Sequence, residues 1–135
     1  MNKKKEFKKL YDLLHDVYNY SPDVLTVICS FVSIDVIEGI LLDLAEYVET
    51  KERGMLKKII VDICSVALIN IALKCKVTGE NPENVLEEEL IDLIIDVFEP
   101  HEYEKVIDKI GREVLKNINV AMALYKEKAG KMGAK

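Results

Sequence analysis

The chain has 135 residues, half of them hydrophobic, with a net charge of −5 and a pI near 5.1. That length fits one domain, and so much apolar material is ample for a core without metal or disulfide staples. The acidic balance argues against general attraction to nucleic acid or to an anionic membrane, since both need a dense positive surface. Three cysteines, Cys29, Cys64 and Cys75, form no CxxC pair and lie in apolar runs, which implies reduced, buried thiols in a cytoplasmic protein.

Residues 3–20 carry Phe7, Leu10, Tyr11, Leu14, Val17 and Tyr18 at helical spacing, which predicts a first helix with one apolar stripe. Its lysine-rich start is interrupted by Asp12, His15 and Asp16, so it does not read as a signal peptide. KKKEFKK interleaves Phe7 with lysines as a nucleic-acid arm would, but Phe7 is better used as the first apolar residue of the helix. Ser21-Pro22-Asp23 stops this helix and starts the next, with Ser21 as N-cap and Pro22 in the first turn. A break is expected at 30–35, where Ser33 or Asp35 caps a fresh start with Glu38 beyond it, giving helices over 23–32 and 35–51. Arg53-Gly54 is the expected punctuation after them.

The stretch KKIIVDICSVALINIALKCK (57–76) is apolar at nearly every position and predicts a central helix over 55–77 that ends at Thr78-Gly79. Ile60, Ile63, Cys64, Ala67, Leu68, Ile71 and Cys75 fall on one half of it, and Asp62, Ser65 and Asn70 mark the less covered half. Cys64 and Cys75 are three turns apart, roughly 16 Å, too far to bridge. The longest uncharged runs, 24–34 and 63–73, are shorter than the ~20 residues of a membrane span. Asn81-Pro82 opens a further helix with the stripe Leu86, Leu90, Leu93, Ile94 and Val97, closed by Pro100. The last segment, 102–131, turns Tyr103, Val106, Ile107, Ile110, Val114, Leu115 and Ile118 inward, with a weak point at Asn117-Ile118-Asn119. Gly111 on that stripe predicts a close helix crossing. One domain over 1–130 and a disordered tail at 131–135 complete the expectation.

Nothing alternates with period two, so the chain reads as all-α, with six to seven antiparallel helices. The segments 23–49 and 89–116 can be laid over one another as helix, Phe, polar turn and helix, which hints at an αα repeat. VIDKIGREVLKN (106–117), with ICSFVSID (28–35) and LKKIIVDIC (56–64), resembles a small uncharacterised archaeal family. That resemblance implies a tetratricopeptide-like αα-superhelix with one concave face and no known activity; an irregular helical bundle is the alternative. The chain lacks the tetratricopeptide Trp and its regular Ala, Gly and Pro positions. Its usage, without Gln or Trp and rich in Ile, Val, Lys and Glu, leans thermophilic.

From Val77 to Glu104 there are ten acidic residues and no Lys or Arg. Glu88, Asp92, Asp96 and Glu99 follow i, i+4, i+8 and i+11, where like charges repel and need an offset. That offset comes from the basic chain ends or from a basic partner docked on the row. A divalent cation is the further option: nucleoside triphosphate pyrophosphohydrolases of the MazG family hold Mg²⁺ with ExxE and ExxD on adjacent helices. Glu89–Asp92 matches ExxD, and Glu46–Glu49 or Glu49–Glu52 matches ExxE, with the central helix intervening. His15 beside Asp12 and Asp16 reads as a surface histidine. Serine nucleophile motifs, P-loops and dinucleotide-binding glycine patterns are absent. The expectation is therefore a non-catalytic protein–protein interaction module without cofactor, docking a protein partner or a second copy on the row Glu88, Asp92, Asp96 and Glu99. The Mg²⁺-dependent pyrophosphohydrolase is the alternative.

Overall fold

The computed structural model describes residues 3–133, all helices and short turns, with no strand among the described residues. In order these are α1 (Lys3–Glu6), α2 (Lys8–Tyr18), α3 (Pro22–Thr50), α4 (Arg53–Thr78), α5 (Pro82–Leu86), a π-helical turn (Glu87–Ile91), α6 (Asp92–Val97), a 3-10 turn (Pro100–Glu102) and α7 (Tyr103–Gly133). The all-α class follows from the helical spacing of the apolar residues, as the sequence predicts. The expected tail at 131–135 is helical as far as Gly133, and Ala134 and Lys135 lie outside the described residues.

Local chemistry explains most of the boundaries. Phe7, at φ −110° and ψ 21°, separates α1 from α2 and puts its ring into the core, 5.1 Å from the ring of Tyr103. Ser21 Oγ accepts from the Val24 backbone N–H, and Asn81 Oδ1 accepts from that of Glu83, so both polar residues placed before proline are N-caps. Gly79 ends α4 at φ 79°, where only glycine is unstrained. The turn before α4 differs from expectation: Lys51 takes the left-handed conformation at φ 59°, and Gly54 lies inside the first turn of α4.

Two predicted breaks are absent. The helices expected at 23–32 and 35–51 are one 29-residue helix, α3. No Pro or Gly falls between Asp23 and Glu38 to interrupt it, and the Thr26 and Ser30 hydroxyls donate to carbonyls one turn back, at 2.8 and 2.9 Å, instead of capping a new start. The side chains of Ser33 and Asp35 lie outside the described residues. The helix-turn-helix repeat expected over 23–49 and 89–116 therefore has its turn only in the second segment, at Pro100. Likewise α7 runs through Asn117-Ile118-Asn119 without interruption, and a Cβ on Gly111 would meet nothing within 4 Å, so no close crossing occurs there.

α3 and α4 form an antiparallel hairpin, tied by Lys58–Asp43 at 3.2 Å near the turn and by Cys29 Sγ against the Ile69 carbonyl at 4.0 Å further along. α7 contacts both and runs beside α4 in the same sense, with Lys57 against Glu102 and Asp62 facing Glu113. α2 and α5 close the core over α4, where Leu10, Leu14, Leu25, Ile28, Leu68, Ile69, Leu86 and Ile110 are fully buried. The face assignment for α4 holds for buried Cys64, Leu68, Ile71 and Cys75 and for exposed Asn70, and needs correction elsewhere. Ile59, Ser65, Val66 and Ile69 are buried, whereas Ile63 is exposed and Ile60 and Ala67 are only partly covered. The outer strip is thus Ile63, Asn70, Lys74 and Val77, because a helix apolar all round carries no signal of which side its neighbours take.

Candidate functional site

The acidic stretch faces the basic chain start. Asp92 pairs with Lys3 at 2.8 Å, Glu83 with Lys4 at 3.5 Å and with His15 Nε2 at 3.0 Å, and Glu89 with Lys74 at 3.6 Å. The Tyr11 hydroxyl donates to Glu87, and burial with that carboxylate keeps the phenol well above its usual pKa. The His15 hydrogen bond, with Lys4 behind it, holds Glu83 below the usual carboxylate range. The hydrogen bond to Asp92 raises Lys3.

The row Glu88, Asp92, Asp96 and Glu99 is not carried by one helix: Glu88 lies in the π turn, Asp92 and Asp96 in α6, and Glu99 beyond it. The π turn Glu87–Ile91 inserts an extra residue into the register, and α6 ends at Val97, so Glu99 stands beyond the helix as the residue before the 3-10 turn. Its backbone N–H donates to Glu102. Glu88, Asp96 and Glu99 remain exposed. Of the four carboxylates weighed for a cation, Glu89 and Asp92 are committed to Lys74 and Lys3, and Glu46 and Glu49 lie exposed near the end of α3. Among the described residues no group of three or more His, Cys, Asp or Glu side chains is arranged to hold a metal ion. His15 meets Glu83 rather than Asp12 or Asp16. The Cys64 thiol is pushed up to about 12 by burial, which leaves it an inert core group.

Two features stand out that the sequence reading did not single out. The first is a cleft of about 570 Å³ between the N-terminal halves of α4 and α7, flanked by Phe98. Lys57 closes one end, bonded to Glu102 at 2.6 Å and 5.6 Å from the Phe98 ring centroid, an arrangement that keeps Glu102 below its ordinary pKa. Lys58 is held by Asp43. Asp62 lies half-buried in the wall, its carboxyl raised by burial and by the nearby Glu113. Along the α7 side stand Lys105, Lys109 and Arg112, which make no ion pair among the described residues. Their i, i+4, i+7 spacing is the same periodic signal as the acidic row, read for the opposite charge.

The second feature is the outer face of α3. Ile37, Leu41, Leu44 and Val48 are exposed at i, i+4, i+7 and i+11, one continuous ridge, with Leu41 and Val48 each 59% exposed. Leu42 is exposed beside it, and Glu38 and Glu49 border the same side. From Ser21 to Thr50 the chain has six acidic residues and no Lys or Arg. α3 is long and apolar enough to span a bilayer, a test that core helices of soluble proteins also pass: its most apolar window has a mean hydropathy of 2.1, and a third of that window is buried in the fold. Joining 23–32 and 35–51 into one helix created this property, which the short uncharged runs did not show. On α7, Leu115, Val120, Leu124 and Tyr125 are exposed near Lys116 and Lys126.

No protein-family model, curated protein or solved structure matches this chain.

Proposed function

We propose that this is a non-catalytic association module that packs the α3 ridge against a second copy of itself. The observation that carries the reading is the exposed row Ile37, Leu41, Leu44 and Val48, apolar at helical spacing over three turns. Charge selects the occupant. An acidic helix repels its own kind, whereas the second half of α7 offers Val120 and Leu124 one turn apart with Lys116 and Lys126 nearby. A two-fold axis that sets α3 of one protomer on α7 of the other satisfies both faces at once. The same acidic border disfavours an anionic lipid surface. The docking role first expected of Glu88, Asp92, Asp96 and Glu99 moves to α3, because Asp92 is taken by Lys3 and Glu99 lies beyond α6, whereas the α3 ridge is a continuous apolar row.

Multi-angle light scattering over a range of concentrations tests this. The wild type should be dimeric, and Leu41→Asp should weaken the dimer at least about 30-fold, the equivalent of roughly 2 kcal/mol for one leucine no longer buried. Circular dichroism of that variant should be unchanged, since Leu41 faces outward. A monomer at every concentration, an intact dimer in Leu41→Asp, or flotation of the wild type with neutral lipid vesicles would each overturn the reading.

A further inference from the structure

We propose that the cleft between α4 and α7 binds a small organic phosphate, with its phosphoryl groups along Lys105, Lys109 and Arg112. This site is separate from the α3 ridge and does not rest on the association reading. Three cations one turn apart repel each other, and a chain of net charge −5 has acids in excess to neutralise them. Around the cleft Lys57 takes Glu102, Lys58 takes Asp43, and Asp62 and Glu113 gather at one end, while Lys105, Lys109 and Arg112 line the open volume without an ion pair among the described residues. An anion from outside that lies along the row relieves this repulsion.

Size and shape narrow the anion. From Lys105 to Arg112 the helix rises roughly 10 Å, the reach of two or three linked phosphoryl groups rather than of a protein surface. The cleft volume of about 570 Å³ lies within the range of small-molecule sites. Arg112 supplies a planar fork for two phosphoryl oxygens, and the two lysines supply point charges. The rest of the lining is of different chemistry: Val61 of α4 and Val106 of α7 give an apolar patch, and Asp62 of α4 with Glu113 of α7 makes one end negative. That asymmetry holds the phosphoryl groups toward the cations and leaves the uncharged body of the ligand against the valines, which is why an organic phosphate fits better than a free one.

Calorimetric titration of the full chain, in chelator and at low ionic strength, tests the assignment with pyrophosphate, adenosine triphosphate and adenosine. The triphosphate should bind, pyrophosphate should bind more weakly, and adenosine should not bind. Lys109→Ala combined with Arg112→Ala should lower the affinity for the triphosphate at least about tenfold, because charge-assisted hydrogen bonds are lost. Lys8→Ala, which removes an exposed cation of α2 outside the cleft, should leave it unchanged. All three positions are exposed, so circular dichroism should confirm intact folding. Absence of binding by both phosphates, or equal losses in the double variant and Lys8→Ala, would overturn the site. Equal affinity for pyrophosphate and the triphosphate would overturn its organic ligand.

Discussion

Asn117 sits in the middle of α7 among Val114, Ile118 and Ala121, all buried, and its Nδ2 has no hydrogen-bond partner among the described residues. A buried amide without a partner costs on the order of 1–3 kcal/mol. Leucine has the same branching and a better helix propensity, so Asn117→Leu should raise stability by about 1 kcal/mol, measured by urea denaturation. An unchanged or lower midpoint would mean that the amide is satisfied by water. Asp62 is a second residue held against its chemistry, because burial, and after it Glu113, raises its carboxyl above the unfolded value of 3.8. Below that value the group is protonated in both states and costs nothing. As pH rises above the unfolded value the penalty grows, and it is complete once pH has passed the raised folded value. Asp62→Asn should therefore be more stable than the wild type at pH 7, with the difference vanishing as pH falls below the unfolded value. A difference independent of pH would place its origin outside ionisation.

At the scale of elements, what could be read from the sequence divides by cause. The starts of α3 and α5 were legible because Ser21 and Asn81 act through their own side chains, and the end of α4 because Gly79 alone tolerates its backbone angles. Continuity through 30–35 was not, since polar residues that cap a helix also sit inside one by bonding back to the preceding turn. The π turn in 87–91 has no local marker, and α6 ends before Glu99, so the row Glu88, Asp92, Asp96 and Glu99 is spread over more than one element. For the candidate cleft the residues were legible as a charge period, but their opening onto α4 depends on how two helices distant in sequence pack. Gly39 shows what the unbroken α3 tolerates. It is exposed, mid-helix, and a Cβ there would meet nothing within 4 Å. Gly39→Ala should accordingly stabilise the protein by about 0.5–1 kcal/mol, checked by the thermal midpoint; a fall would show that the helix bends at this glycine.

Over the whole molecule, charge is sorted along the chain and folding brings opposite ends together. The basic start, residues 3–9, lies against the acidic run that begins at Glu80 and against α7, through Lys3–Asp92, Lys4–Glu83 and Lys9–Asp108. These pairs look like the clasp that closes the fold, but their magnitudes say otherwise. Each involves exposed groups, and such pairs contribute about 0–1 kcal/mol, less in salt. Phe7 stands between them, fully buried and against Tyr103, and truncating a buried aromatic to alanine costs about 3–5 kcal/mol. The charges therefore select where the chain start docks, and the ring holds it there. Lys3→Glu together with Lys4→Glu should lower stability by no more than about 1–2 kcal/mol, with the loss shrinking at high ionic strength. Phe7→Ala should lower it by about 3–5 kcal/mol at any salt concentration, a large fraction of the roughly 5–15 kcal/mol that holds a domain of this size. If urea denaturation ranks the two variants the other way, the start of the chain is held by its charges and the core begins at Leu10.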